Sequence, residues 1–228
     1  MKKVLAALVV VCAAQAANAR PIINDTAGDV FTGAGGGILD ILSLEVSDDT
    51  SSLSFKFTLA GDVVATDWGK YMVMIDTVAG GDNGGNGWAR PISWGQPGIG
   101  AGADYWIGSW VDSGNGAENY NYSGSWALQD ATYSNGLISI AKAGSTVTIS
   151  TALSRLGLGE NQSFCFDAFT SGGGGTDGAI DSLGDPGVHV GDWGQQSNAF
   201  PVCYTTTPEP GSLGLLCIGG LALIRRRR

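Results

Sequence analysis

The stretch Leu42–Leu59, LSLEVSDDTSSLSFKFTL, decides the fold. Leu42, Leu44 and Val46 alternate with Ser43 and Glu45, and Leu53, Phe55, Phe57 and Leu59 alternate with Ser54, Lys56 and Thr58. A period of two sends every second side chain to one face, so each run is a strand with an apolar side and a wet side. Asp48-Asp49-Thr50 supplies turn chemistry between them, and the two runs read as a hairpin. Outward from this hairpin, strand-like runs recur at Tyr71–Asp76, Tyr105–Val111, Tyr120–Trp126, Leu137–Ala141, Thr146–Ser150, Phe164–Phe169 and Val202–Thr206. Nine strands separated by Gly-rich turns predict an all-β chain, an antiparallel, jelly-roll-like β-sandwich. The one helical signal is Thr151–Leu156, stopped by Gly157. Every Gly-rich segment is short and flanked by strands, so residues 20–206 read as one domain. The only internal echo pairs Thr66-Asp67-Trp68-Gly69 with Gly191-Asp192-Trp193-Gly194.

The two ends carry addresses rather than fold. Lys2 and Lys3 precede an apolar run from Val4 to Ala14, and Ala17-Asn18-Ala19 is an A-x-A cleavage site before Arg20, so residues 1–19 read as a secretory signal peptide. The run falls short of the ~20 apolar residues needed to span a bilayer as a helix. At the other end, Pro208-Glu209-Pro210 is followed by the uncharged segment Gly211–Ile224 and by Arg225, Arg226, Arg227 and Arg228. A basic cluster stays on the cytoplasmic side, which places the body of the chain across the membrane, in agreement with the signal peptide. The order of these three features over residues 207–228 resembles the PEP-CTERM sorting signal. The resemblance implies a short transmembrane sorting helix, transient anchoring in the inner membrane, and cutting by the membrane protease exosortase after passage through the secretion machinery. It further implies release to the cell surface or extracellular matrix of a Gram-negative bacterium that makes exopolysaccharide, a biofilm setting.

Removal of both signals sharpens the charge. The whole chain carries a formal −9, but only six Lys and Arg against twenty Asp and Glu remain between Arg20 and Thr207, a formal −14. Such a body repels nucleic acid and anionic lipid and is compatible with divalent cations. Cys12 and Cys217 lie in the signals, leaving Cys165 and Cys203 in an oxidising compartment, where they are expected to pair. Two buried thiols on facing strands are the alternative.

The inventory for catalysis is thin. His189 is the only histidine, the body keeps Glu45, Glu118 and Glu160 as its glutamates, and there is no G-x-S-x-G elbow or CxxC. The expectation is a protein that is not an enzyme. Asp25, Asp29 and Asp40 offer short oxygen side chains near the mature N-terminus, a set suited to one structural Ca2+, although Asx-turns in connecting loops are the usual use of Asn, Asp and Gly. Asp82, Asn83 and Asn86 form a second polar loop that fails the EF-hand spacing. Five of the seven tryptophans, Trp88, Trp94, Trp106, Trp110 and Trp126, fall in one stretch with Tyr105, Tyr120 and Tyr122. Flat rings can stack on sugars or fill a core. The loop-borne Trp88 and Trp94 beside Arg90, with Tyr120 and Tyr122, are the candidate ligand-binding residues, whereas Trp106, Trp110 and Trp126 read first as core.

The order Asp25, Gly28-Asp29, then Asp40-Ile41 leading into the hairpin is similar to the start of the family 9 carbohydrate-binding modules and of the glucodextranase C-terminal domain. That resemblance implies an antiparallel sandwich with structural calcium. Together these readings point to an exported, non-catalytic module for extracellular polysaccharide. A structural or adhesion component of the matrix is the second reading, and a secreted glycan-acting enzyme the third.

Overall fold

A computed structural model describes residues 20–31, 34–95, 102–112, 114–185 and 191–207. The signal peptide expected over 1–19, His189, and the sorting signal from Pro208 through Arg228 with its expected helix lie outside the described residues. Among the described residues, no helix is long and apolar enough to cross a membrane.

Residues 20–207 form antiparallel sheets packed as a sandwich. The smaller sheet holds β1 (Ile22–Asn24), β2 (Ile41–Asp48), β3 (Ser52–Leu59), β10 (Thr146–Ala152) and β9 (Ile138–Ala143), adjacent in that order. The larger sheet runs β12 (Asp181–Ser182), β11 (Ser163–Ser171), β4 (Lys70–Asp76), β6 (Tyr105–Trp110), β7 (Gly116–Tyr122) and β8 (Trp126–Ala131), with β14 (Val202–Thr205) also pairing with β11. A short parallel pair, β5 (Ile92–Ser93) and β13 (Ser197–Asn198), completes the set.

The hairpin at Leu42–Leu59 forms with its alternation intact. Leu44 and Val46 lie opposite Phe57 and Phe55, and all four are buried between the sheets. Its turn is built by Asp49, whose Oδ1 accepts the Ser51 and Ser52 amides at 2.8 and 2.7 Å, and these donors hold its carboxyl down at about 2. Three hydrogen bonds tie the segment entering β2 to the larger sheet. Tyr71 Oη donates to the Ile38 carbonyl at 3.0 Å, Thr170 Oγ1 donates to the Leu39 carbonyl at 2.5 Å, and the Ile41 amide donates to Asp181 Oδ2 at 2.6 Å.

The chain departs from its sequence reading in three places. The run Tyr120–Trp126 is not one strand: β7 ends at Tyr122, a turn at Ser123–Ser125 uses Gly124 in the left-handed region, and Trp126 begins β8. Because Tyr122 faces Trp126 across the turn, the period-two pattern passes through it unbroken. The helical signal at Thr151–Leu156 is spent differently, since β10 continues to Ala152 and only Leu153–Leu156 coil, as one 3-10 turn ended by Gly157. The short strands β1, β5, β12 and β13 have too few residues to show a period.

A second apolar cluster lies on the outer face of the larger sheet. Tyr71, Val73 and Ile75 of β4 point between the sheets, while Met72 and Met74 point outward against Ile92, Trp94, Trp106, Phe169, Ala179 and Ala199. The loops carrying β5 and β13 therefore form a lid over this face. Asp167 of β11 fastens it: its buried carboxylate accepts the Phe200 and Gly184 amides at 2.8 and 3.0 Å and the Ser182 hydroxyl at 2.9 Å. Burial outweighs these donors and pushes the group up to about 7.

The last described residues are held as firmly. Cys165 and Cys203 face each other on β11 and β14 with Cα atoms 4.0 Å apart and are joined as a disulfide. Asp48, closing β2, accepts Tyr204 Oη together with the Thr207 amide at 2.9 Å and the Thr207 hydroxyl at 2.8 Å.

Asp76, at the end of β4, is pushed up to about 6, first by burial and then by the neighbouring Asp104 charge and the hydrogen bond the two share. A proton kept by the folded chain and released by the unfolded one favours folding at low pH, so this contribution is lost as pH rises from about 4 through about 6. Asp76→Asn keeps a donor toward Asp104 without the charge. Urea titrations at fixed pH should find it more stable than wild type above pH 7, with a flatter decline between pH 4 and 7; an unchanged slope would refute the assignment.

Candidate functional site

The open part of the larger sheet lies on the outer side of β6, β7 and β8, where aromatic side chains gather around one carboxylate. Trp106 faces Tyr120 across β6 and β7, and Tyr122 faces Trp126 across β7 and β8, so the tryptophan and tyrosine sets share one side of the sheet. Trp106 is fully buried beneath the lid, whereas Trp88, Trp110, Tyr120, Tyr122 and Trp126 are half-buried, and Tyr133 is 63% exposed.

Two glycines let the indoles lie down. A Cβ on Gly116 would stand 1.9 Å from Trp110 Cζ2, and one on Gly108 would stand 2.3 Å from Trp88 Cζ2. Each six-membered ring thus rests on strand backbone at a place where any side chain would lift it off. Trp88 is delivered there by a loop that Asn86 organises. The Asn86 amide nitrogen donates to the carbonyls of Arg90 and Ile92 at 2.9 and 2.7 Å, and its Oδ1 accepts the Trp88 amide at 3.0 Å.

Glu118, on β7, collects the ring donors. Its Oε2 accepts Trp88 Nε1 at 2.7 Å and Tyr120 Oη at 3.0 Å, and its Oε1 accepts Tyr133 Oη at 2.5 Å. The Tyr120 hydroxyl is raised well above the ordinary tyrosine range, by burial first and by the Glu118 charge second. Trp88 meets Trp106 and Trp110 at centroid distances of 6.3 and 6.4 Å, and Trp110 meets Tyr133 at 6.4 Å. Further along, Tyr122 and Trp126 are 5.4 Å apart, and Trp126 Nε1 donates to Asp82 Oδ2 at 2.7 Å. The rings form two groups, one gathered by Glu118 and one held by Asp82.

Two of the expected binding residues lie elsewhere. Trp94 is 1% exposed, at the centre of the outer apolar cluster, so its face is covered by the lid rather than open to a ligand. Arg90 is 7% exposed and turned inward, where its guanidinium donates to Ser171 Oγ at 2.7 Å and to the carbonyls of Asp177 and Gly172 at 2.8 and 3.3 Å. Its guanidinium carbon is 5.4 Å from the Trp88 ring centroid, a cation–π contact that supports the ring from within. Trp88, Tyr120 and Tyr122 stay on the open face, joined there by Trp110, Trp126, Tyr133 and Glu118, which sequence reading did not place in the site. Spacing showed the parity of these side chains but not which sheet face the lid would cover.

The acidic set is regrouped in the same way. Carboxylate oxygens of Asp25, Asp29 and Asp181 lie within 4.8 Å of one another. Asp40 stands close enough to raise the pKa of its neighbours, but both its oxygens receive the Gly28 amide, at 3.1 and 3.0 Å. Asp181 reaches the group from 140 residues beyond Ile41, whose amide it also accepts. Both Asp29 oxygens and Asp25 Oδ2 are buried without a hydrogen-bond partner, and burial pushes Asp25 up to about 7. Asp82 Oδ1 and Asn86 Oδ1 accept amides of their own loop, as Asx-turns do, while the other Asp82 oxygen is spent on Trp126.

With the body so arranged, its exit strand leads directly into the segment that identifies its route. Residues 206–228 match the PEP-CTERM protein-sorting motif. The motif marks an exported, membrane-transiting surface protein that is processed by exosortase. Its first two residues belong to the folded body: Thr206 is buried and Thr207 is latched to Asp48. No curated protein matches the chain in sequence.

The resting of Trp110 on Gly116 is directly testable. Gly116→Ala should force the indole off the strand and cost about 1–3 kcal/mol of stability, the usual range for overpacking. Near-UV circular dichroism should lose tryptophan signal at the same time; an unchanged spectrum with unchanged stability would show that the ring does not lie there.

Proposed function

We propose that this exported protein is a non-catalytic module that binds extracellular polysaccharide on the outer face of β6–β8. The observation that carries the reading is the pair of indoles laid on Gly116 and Gly108, with Tyr133 and Tyr120 locked beside them by Glu118. A ring backed by strand on one side can offer its opposite side to the apolar face of a sugar. Holding the rings before the ligand arrives lowers the ordering cost of binding. Glu118 and Asp82 both act as acceptors for ring N–H and O–H groups. That role suits positioning rather than the paired acid and base a glycosidase requires. A stacked ring contributes about 1–2 kcal/mol, so a single site should bind in the millimolar to micromolar range and adhesion should depend on many copies displayed together.

Affinity electrophoresis and calorimetry against a panel of bacterial exopolysaccharides should therefore find weak binding to at least one of them. Tyr133→Ala and Trp110→Ala should each lower affinity about fivefold to thirtyfold, the loss expected for one ring. Binding to none of the panel would leave the structural role in the matrix as the reading that stands.

We further propose that Asp25, Asp29 and Asp181 hold one structural Ca2+. The residues fit the ion: three carboxylates converge, and the buried oxygens of Asp29 have no other partner. Bringing like charges together out of water is unfavourable without a proton or a cation between them, and Ca2+ prefers oxygen ligands of this kind. The ion would join the loop before β2 to β12 of the opposite sheet. Millimolar Ca2+ should raise the melting temperature of the chelator-treated body by several degrees, as saturation of a site found only in the folded state does. Asp29→Asn should abolish the rise, and a wild-type melting temperature indifferent to Ca2+ would reject the site.

A further inference from the structure

The electrostatics of the aromatic face narrow the class of glycan it takes, an inference that rests on the polysaccharide reading above. Glu118 carries a full negative charge into the middle of the ring cluster. Its three partners, Trp88 Nε1, Tyr120 Oη and Tyr133 Oη, are neutral donors: they orient the carboxylate without cancelling it. Among the described residues Glu118 forms no ion pair, the five that are present joining Arg20 and Lys56 to Glu45, Lys70 to Asp112, Lys142 to Asp67 and Arg155 to Asp130. Arg90, whose guanidinium carbon stands 5.4 Å from the Trp88 ring centroid, is committed to Ser171 and to two carbonyls beneath the lid.

A carboxylate offers about four lone-pair directions, and three are taken here. The fourth, and the uncompensated charge, remain for a ligand lying on the rings. Around this centre, Asp82 adds a second carboxylate beneath Trp126, and the body between the two signals carries a formal −14. A polymer of uronates or sulfated sugars would bring like charge against this face. A neutral sugar would stack without using the charge. An ammonium group on a stacked sugar would meet Glu118 through a charge-assisted hydrogen bond and the neighbouring rings through cation–π attraction.

We propose that the ligand of this face is a polysaccharide bearing free amino groups, a hexosamine polymer, with its sugar rings stacked on Trp110 and Tyr133 and its ammonium groups read by Glu118. A hydrogen bond to a charged group contributes about 1.5–3 kcal/mol, which corresponds to a preference of about tenfold or more over the same polymer with its amines acetylated.

The test compares three oligosaccharides of equal length, one of glucosamine, one of N-acetylglucosamine and one of a hexuronate, by quenching of tryptophan fluorescence in the processed protein. Wild type should bind the glucosamine oligomer about tenfold more tightly than the acetylated one, and the uronate most weakly. Glu118→Gln, which keeps an acceptor for the ring donors and removes the charge, should bring the first ratio close to one while leaving affinity for the acetylated oligomer within about twofold. Asp192→Asn, which removes one exposed charge from a side chain that bonds none of the rings or Glu118, should leave the ratio as in wild type and so separates local recognition from attraction by the net charge. Equal binding of the amino and acetylated oligomers by wild type, tight binding of the uronate, or an equal fall of the ratio in both variants would overturn this inference while leaving polysaccharide binding in place. If Glu118→Gln fails to fold, the decision passes to added salt on wild type. A local contact keeps most of its preference at 0.5 M salt, and a preference lost there is net-charge attraction. No response to any of the three oligomers, or to longer neutral polymers, would instead remove the polysaccharide reading itself.

Discussion

The architecture depends on one antiparallel pair, β4 against β11, which is buried on both faces. Its inner side chains, Val73, Ile75, Phe166 and Ala168, fill the space between the sheets, and its outer ones, Met72, Met74 and Phe169, need a second cover. A two-layer sandwich would leave those outer residues in water, so the chain spends its long connections on a lid that carries Ile92, Trp94, Ala179 and Ala199. The lid lacks a long ladder of its own, and its buried backbone groups must find partners one at a time. Arg90 serves the carbonyls of Gly172 and Asp177, Asn86 those of Arg90 and Ile92, and Asp167 the amides of Gly184 and Phe200. Buried polar side chains thus act as the fasteners of the third layer.

That division of labour explains where the aromatic face can be. The lid covers the outer side of the larger sheet from β11 to β6 and gives out over β7 and β8, so Trp106 is enclosed while Tyr120, Tyr122 and Trp126 are half in solvent. Gly108 and Gly116, where a strand would ordinarily place side chains, thin the sheet so that Trp88 and Trp110 settle at the lid's margin. Fold and candidate site meet along this margin, and Glu118 sits on it.

What the sequence disclosed and withheld follows the same line. Alternation in Leu42–Leu59 showed the hairpin because one face of those strands is wet and the other dry, the condition under which a period of two is visible. In β4 the run Tyr71–Ile75 is apolar throughout, a pattern that marks a strand but hides that its two faces belong to different cores. Trp94 and Arg90 lie in a Gly-rich loop, where sequence favours the surface, and nothing local says that such a loop will be folded inward as a lid. Asp181 joins Asp25 and Asp29 only through the packing of β12 beside the entrance to β2, a relation between segments more than 140 residues apart. The Asp-Trp-Gly echo had no local meaning either, yet the two tryptophans come together at 6.4 Å, with Phe31 against the second, as a cap over the main core.

The fastening of the exit strand has a mechanical consequence. Load applied to the chain beyond Thr207, as when a protein is held or drawn by its sorting segment, first meets the Asp48 latch and the buried Thr206. It can then peel no more than the residues back to Cys203 before reaching a covalent bond to β11, the strand of the larger sheet that pairs with β4. Past that point tension passes into β11 and is shared across the β11–β4 ladder. A body anchored in this way can be drawn by its sorting segment without its last strand coming loose as a free edge on which neighbouring copies could aggregate.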